Sequence, residues 1–124
     1  MNQGDNSTNW YRNDDGMTAC HWAAYRGYIN IVEMILDRGF DIHDKNNDGA
    51  TILHCASLGG HLNIIEMLLE RGVDINGKGN SNETALHWAA TNGQMNAVEL
   101  LLERGIDIDD DIDIWLILNM MIDE

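Results

Sequence analysis

The chain has 124 residues, 44% of them apolar and 23% charged, with no proline and a formal net charge of −14. That length supplies one domain's worth of buried core, and 21 acids against 7 bases repel nucleic acid and anionic membrane while favouring a basic partner. Neither a basic, apolar leader nor an apolar stretch of about 18 residues is present, which predicts no signal peptide and no membrane span.

Residues 1–12 are polar and read as a lead-in with little order of its own. From residue 13 onward the chain repeats itself every 33 residues without insertion. Thr18, Thr51 and Thr84 fall in step, as do His21, His54 and His87, Gly27, Gly60 and Gly93, and Gly39, Gly72 and Gly105. A strict period of this size predicts stacked units, none able to bury its apolar face alone.

Each unit opens on a turn rich in Asn, Asp and Gly, such as Asn46-Asn47-Asp48-Gly49, whose residues tolerate tight reversal. The threonine is then a helix N-cap. The first helix has a small-residue seam: Cys20, Ala23 and Ala24, then Leu53, Ala56 and Ser57, then Leu86, Ala89 and Ala90. Glycine ends it. A second helix is expected to begin at Asn30, Asn63 or Asn96, with Glu33, Glu66 or Glu99 completing a capping box. Its stripe is Val32, Ile35 and Leu36 and their counterparts, and Arg38, Arg71 or Arg104 falls in its last turn.

The segments Thr51-Ile52-Leu53-His54-Cys55-Ala56, Thr84-Ala85-Leu86-His87-Trp88-Ala89-Ala90 and Leu68-Leu69-Glu70-Arg71-Gly72-Val73-Asp74-Ile75-Asn76 resemble the ankyrin repeat. The resemblance implies an all-α solenoid of stacked helix-turn-helix units with β-hairpin-like turns over residues 13–112, in repeats of about 15–47, 48–80 and 81–112. Residues 113–124 follow as a degenerate fourth repeat or a C-terminal cap. Where the family usually has proline, this chain has Ala19, Ile52 and Ala85, a loss of rigidity but not of fold.

The same resemblance implies a non-catalytic, monomeric module that binds a protein partner through a concave face. That face runs along the turn tips (Asp14, Asp15, Met17; Asn47, Asp48, Ala50; Asn80, Ser81, Glu83) and the first helices (Trp22, Tyr25, Arg26; Cys55, Leu58, Gly59; Trp88, Thr91, Asn92). Met17, Trp22, Tyr25, Arg26, Asp48, Leu58, Glu83, Trp88, Thr91 and Asn92 are its candidate contacts, against the alternative that Trp22 and Trp88 only pad the seams. It also implies that the three histidines bond to threonine and turn backbone, and that Asn76 matches a position of asparaginyl hydroxylation, against a plain structural bridge. The two cysteines, without further framework, suggest a reducing compartment, the cytoplasm with the nucleus as alternative.

No cofactor and no metal are expected. Asp44-x-Asn46-x-Asp48-Gly49 starts like a calcium loop, but Cys55 stands where a bidentate Glu is needed. Cys20-His21 and His54-Cys55 lack zinc spacing. The acidic run Asp107–Asp113 reads as a solvated face, with weak divalent-cation binding as an alternative role. A decayed repeat protein without a dedicated partner is the other, motivated by a slip of register near Asp113 and the apolar run from Trp115 to Ile122.

Overall fold

The computed structural model describes residues 11–108. Six helices follow in order: α1 Ala19–Arg26, α2 Ile29–Asp37, α3 Ile52–Gly59, α4 Leu62–Glu70, α5 Ala85–Thr91 and α6 Met95–Glu103, and no strand occurs among the described residues. Helices of seven to nine residues are too short to persist alone in water. Caps and neighbours hold them.

Thr18, Thr51 and Thr84 lie in extended backbone just before α1, α3 and α5, and each forms a capping box with the histidine three residues on. Histidine takes the place usually held by Glu or Gln. The threonine N–H donates to Nδ1 of His21, His54 or His87 at 3.2, 3.1 and 3.0 Å. An accepting Nδ1 leaves the ring proton on Nε2. His21 Nε2–H then donates to the Asp44 carbonyl at 3.2 Å, and His54 Nε2–H to the Glu83 carbonyl at 2.9 Å. Each of these two rings therefore caps its own helix and fastens the turn that leads to the next. Burial lowers the pKa of His21 and His54 against the opposing pull of those carbonyls, which keeps both rings neutral.

The second helices start earlier than Asn30, Asn63 and Asn96. Tyr28, His61 and Gln94 are the N-cap residues, and none makes a side-chain cap bond to its own helix. The cause is the short link: Gly27, in left-handed backbone, is followed by Tyr28, whose N–H returns to the Ala23 carbonyl at 2.9 Å and whose carbonyl already receives Val32 N–H at 3.0 Å. The asparagines therefore fall inside the first turn. Arg71 and Arg104 sit at the C-caps and reach back one repeat, to Asp37 at 3.1 Å and Glu66 at 3.2 Å. Such exposed pairs contribute under about 1 kcal/mol each. The helix ends close more firmly. Phe40, Val73 and Ile106 donate their N–H back to Ile35, Leu68 and Leu101, and all three side chains are buried, the hydrophobic closure of a Schellman turn.

Helices α1, α3 and α5 lie side by side, and α2, α4 and α6 each pack against the first helix of their own repeat. The seam residues Cys20, Ala23, Ala24, Leu53, Ala56, Leu86, Ala89 and Ala90 are buried, so small side chains let the backbones approach. Ser57, in register with Ala24 and Ala90, is fully buried with a hydroxyl that has no hydrogen-bond partner. An unpaired buried hydroxyl costs roughly 1–3 kcal/mol. Ser57→Ala is therefore expected to raise the free energy of unfolding by about 1 kcal/mol, read as a higher urea midpoint at unchanged slope. A lower midpoint would mean that the hydroxyl is satisfied.

The turn tips form a second, exposed seam. Asn47 donates its N–H to the Asp15 carbonyl (2.9 Å) and its side-chain amide to the Asp14 carbonyl (2.8 Å). One repeat on, Asn80 does the same to Asp48 (2.9 Å) and Asn47 (2.7 Å). Gly49 holds φ +77°, and a Cβ there would lie 2.6 Å from Asn80 Oδ1, so the ladder needs glycine on both counts. At the other end of the logic, the outer flank of the first repeat is open. Ile31 and Met34 are 42% and 48% exposed, whereas Ile64 and Met67 in the same places one repeat later are 0% and 9% exposed.

Candidate functional site

The turns and the first helices meet along one side of the stack; among the described residues one hollow of about 400 Å³ lies there on the first repeat alone, lined by Tyr11, Asn13, Met17, Thr18, Ala19 and Trp22, and two others span neighbouring repeats. The larger of these two, about 450 Å³, is lined by Asp15, Met17 and Trp22, Tyr25, Asn46 and Asp48, and Cys55, Leu58 and Trp88. The second, about 410 Å³, is lined by Tyr25, Arg26, Leu58, Gly59, His61, Asn92 and Gln94. Both have the size of ordinary binding clefts. Of the ten candidate contacts, Met17, Trp22, Tyr25, Asp48, Leu58 and Trp88 line the first, and Tyr25, Arg26, Leu58 and Asn92 the second. Glu83 and Thr91 are exposed but line neither. Ala50, placed among the turn tips by register, is fully buried, because its N–H turns inward to Asn46 Oδ1 at 3.0 Å.

The two tryptophans differ. Trp22 is 44% exposed, meets Tyr25 edge to face at 6.1 Å and lies under the Arg26 guanidinium at 5.9 Å. Trp88 is half-buried and packs edge to face on His54 of the preceding repeat at 5.4 Å. Trp88 therefore pads a seam and still presents surface to the hollow.

His61 and Gln94 have a role that their types do not announce. His61 Nε2 bonds the Tyr25 carbonyl at 2.7 Å, and one repeat on Gln94 Nε2 bonds the Leu58 carbonyl at 3.0 Å, joined there by Asn92 Nδ2 at 3.2 Å. These are unpaired carbonyls at first-helix ends, met by the next repeat. Their shared 33-residue register is the signal in the sequence; the pairing of a histidine with a glutamine hides it.

The chemistry of the remaining groups is quiet. Burial pushes the Cys20 and Cys55 thiols up to about 12, so both stay protonated at neutral pH and are poor nucleophiles and poor metal ligands. In the loop that starts like a calcium site, Asp44 is held by Arg12 at 2.6 Å and Asn46 Oδ1 accepts from Asp48 and Ala50 N–H, so two of its oxygens are committed. Asn76 Oδ1 accepts the Asp107 N–H at 2.8 Å, a bridge between repeats. The acidic residues from Asp109 to Asp113, the run from Trp115 to Ile122 and the cap at 113–124 lie outside the described residues. Among the described residues no helix is long and apolar enough to cross a membrane.

Comparison with known proteins agrees with this geometry. The family model described as ankyrin repeats (3 copies) matches residues 38–112, and the one described as ankyrin repeat matches residues 15–47. No curated protein matches the chain.

Proposed function

Because the chain belongs to the ankyrin-repeat family, whose members are protein-protein interaction modules, we propose that it works by holding another protein against the side formed by its turns and first helices. The observation that carries this reading is the convergence of Met17, Trp22, Tyr25, Leu58 and Trp88, from three repeats, on one hollow. Aromatic and arginine side chains are the usual anchors of such contacts. The role is that of a non-catalytic adaptor, monomeric, with a partner that carries a basic patch. Exposed Asp14, Asp15, Asp48 and Glu83 along the tips support the last point. Two buried, protonated thiols fit a reducing compartment, the cytoplasm or the nucleus.

The test is capture of partners from cell extract by the native chain and by the triple variant Trp22→Ala, Tyr25→Ala, Arg26→Ala. Loss of these three anchors is expected to weaken capture at least tenfold; Trp22 and Arg26 are exposed while Tyr25 is half-buried against the core, so capture is compared well below the variant's own melting temperature. A partner set captured equally by both chains would place recognition elsewhere.

A further inference from the structure

The larger hollow lies over the one first-helix residue that interrupts a row of tryptophans. Trp22, Cys55 and Trp88 occupy equivalent positions on α1, α3 and α5. A third indole in the middle would continue the row; a cysteine, 2% exposed, leaves a slot instead. The slot has an indole at each end, Tyr25 and Leu58 along it, and the carboxylates of Asp15 and Asp48 among its lining groups.

The rings and the acids together restrict what fits. Aromatic faces carry negative potential and attract cations, and Trp22 already does so, with the Arg26 guanidinium 5.9 Å from its centroid. Among the described residues no cation pairs with the carboxylate of Asp15 or Asp48. Both acids are exposed, so an apolar plug would leave their charge unanswered, whereas a cation beside them gains attraction from both. A cationic group satisfies both requirements at once. Resting on the reading of this side as a protein-binding face, we infer that the slot over Cys55 receives a lysine or arginine side chain projecting from an extended segment of the partner.

The experiment uses the full chain, labelled with 15N, at about 0.15 M salt, where long-range attraction is screened beyond about 8 Å. A decapeptide of alternating serine and arginine is titrated in, beside the same peptide with glutamine for arginine. The indole N–H signals, assigned by single Trp→Phe substitutions, are expected to shift for Trp22 and Trp88 with the arginine peptide and to stay still with the glutamine peptide. Asp15→Asn with Asp48→Asn, both exposed positions, is expected to weaken the arginine peptide about tenfold, within the range of a cation held by rings and carboxylates.

Equal response to both peptides, silence of both indoles at millimolar arginine peptide, or unchanged binding by the double variant would each overturn the slot. Shifts confined to Tyr25, Arg26 and Asn92 would overturn the slot while leaving the wider face intact. The triple-alanine capture decides the face independently.

Discussion

His54→Ala is expected to cost the fold roughly 2–4 kcal/mol, the sum of a cavity in the core and of hydrogen bonds left unmade. The ring is 1% exposed, accepts the Thr51 N–H at 3.1 Å and donates to the Glu83 carbonyl at 2.9 Å. Its loss uncaps α3 and frees the turn before α5 in a single step. It also removes the edge on which Trp88 rests at 5.4 Å. At about 3–6 °C per kcal/mol, between the figures for domains near 100 and near 150 residues, the melting temperature should fall on the order of 6–24 °C, followed by far-ultraviolet circular dichroism. A drop of a few degrees or less would mean that water replaces the ring at both ends. His54→Gln, which keeps a donor, should recover part of the loss.

The second large effect is loss of stability in mild acid. His21 and His54 are neutral when folded, with pKa lowered first by burial. The unfolded chain protonates its histidines near pH 6.5. Below that value the unfolded state binds protons that the native state refuses, so stability falls as pH falls. It is fully present above about pH 6.5 and diminishes from there toward the lowered folded values. Each such group contributes up to about 1.4 kcal/mol per pH unit, so between pH 7.5 and 5.5 the two should remove about 1–3 kcal/mol. Urea unfolding at the two pH values measures the difference, and His54→Ala should halve it. A flat profile would show that both rings are protonated without penalty.

Local chemistry made much of the fold legible. Threonine caps, glycine ends and the small seam of Ala23, Ala56 and Ala89 depend on neighbours a few residues away, and the 33-residue register printed them three times. Asn30 and Glu33 look like a capping box, but the brevity of the Gly27-Tyr28 link decides where α2 starts. Links across repeats were beyond that kind of reading. Nothing local says that Arg71 turns back to Asp37, or that His61 and Gln94 serve carbonyls on the preceding first helix. The side formed by the turns and first helices was legible as a row of positions. Its relief was not, because the hollow joins residues of three repeats, with Cys55 between Trp22 and Trp88 and with Asn46 and Asp15 among its lining groups. Ala50 shows the converse, a residue at a turn tip by register and inside by hydrogen bonding.

The clasp of His61 on the Tyr25 carbonyl, and of Gln94 and Asn92 on that of Leu58, reaches beyond architecture. Tyr25 and Leu58 belong to both hollows, so their carbonyls are held by hydrogen bonds from the next repeat along the stack. Little freedom is then left to surrender on association, which favours affinity without extra contact area. Ligation and thermal endurance become two readings of one equilibrium: a bound ligand at a hundred times its Kd would add about 2.7 kcal/mol to stability, and any lesion that slackens the clasp would be felt as faster release.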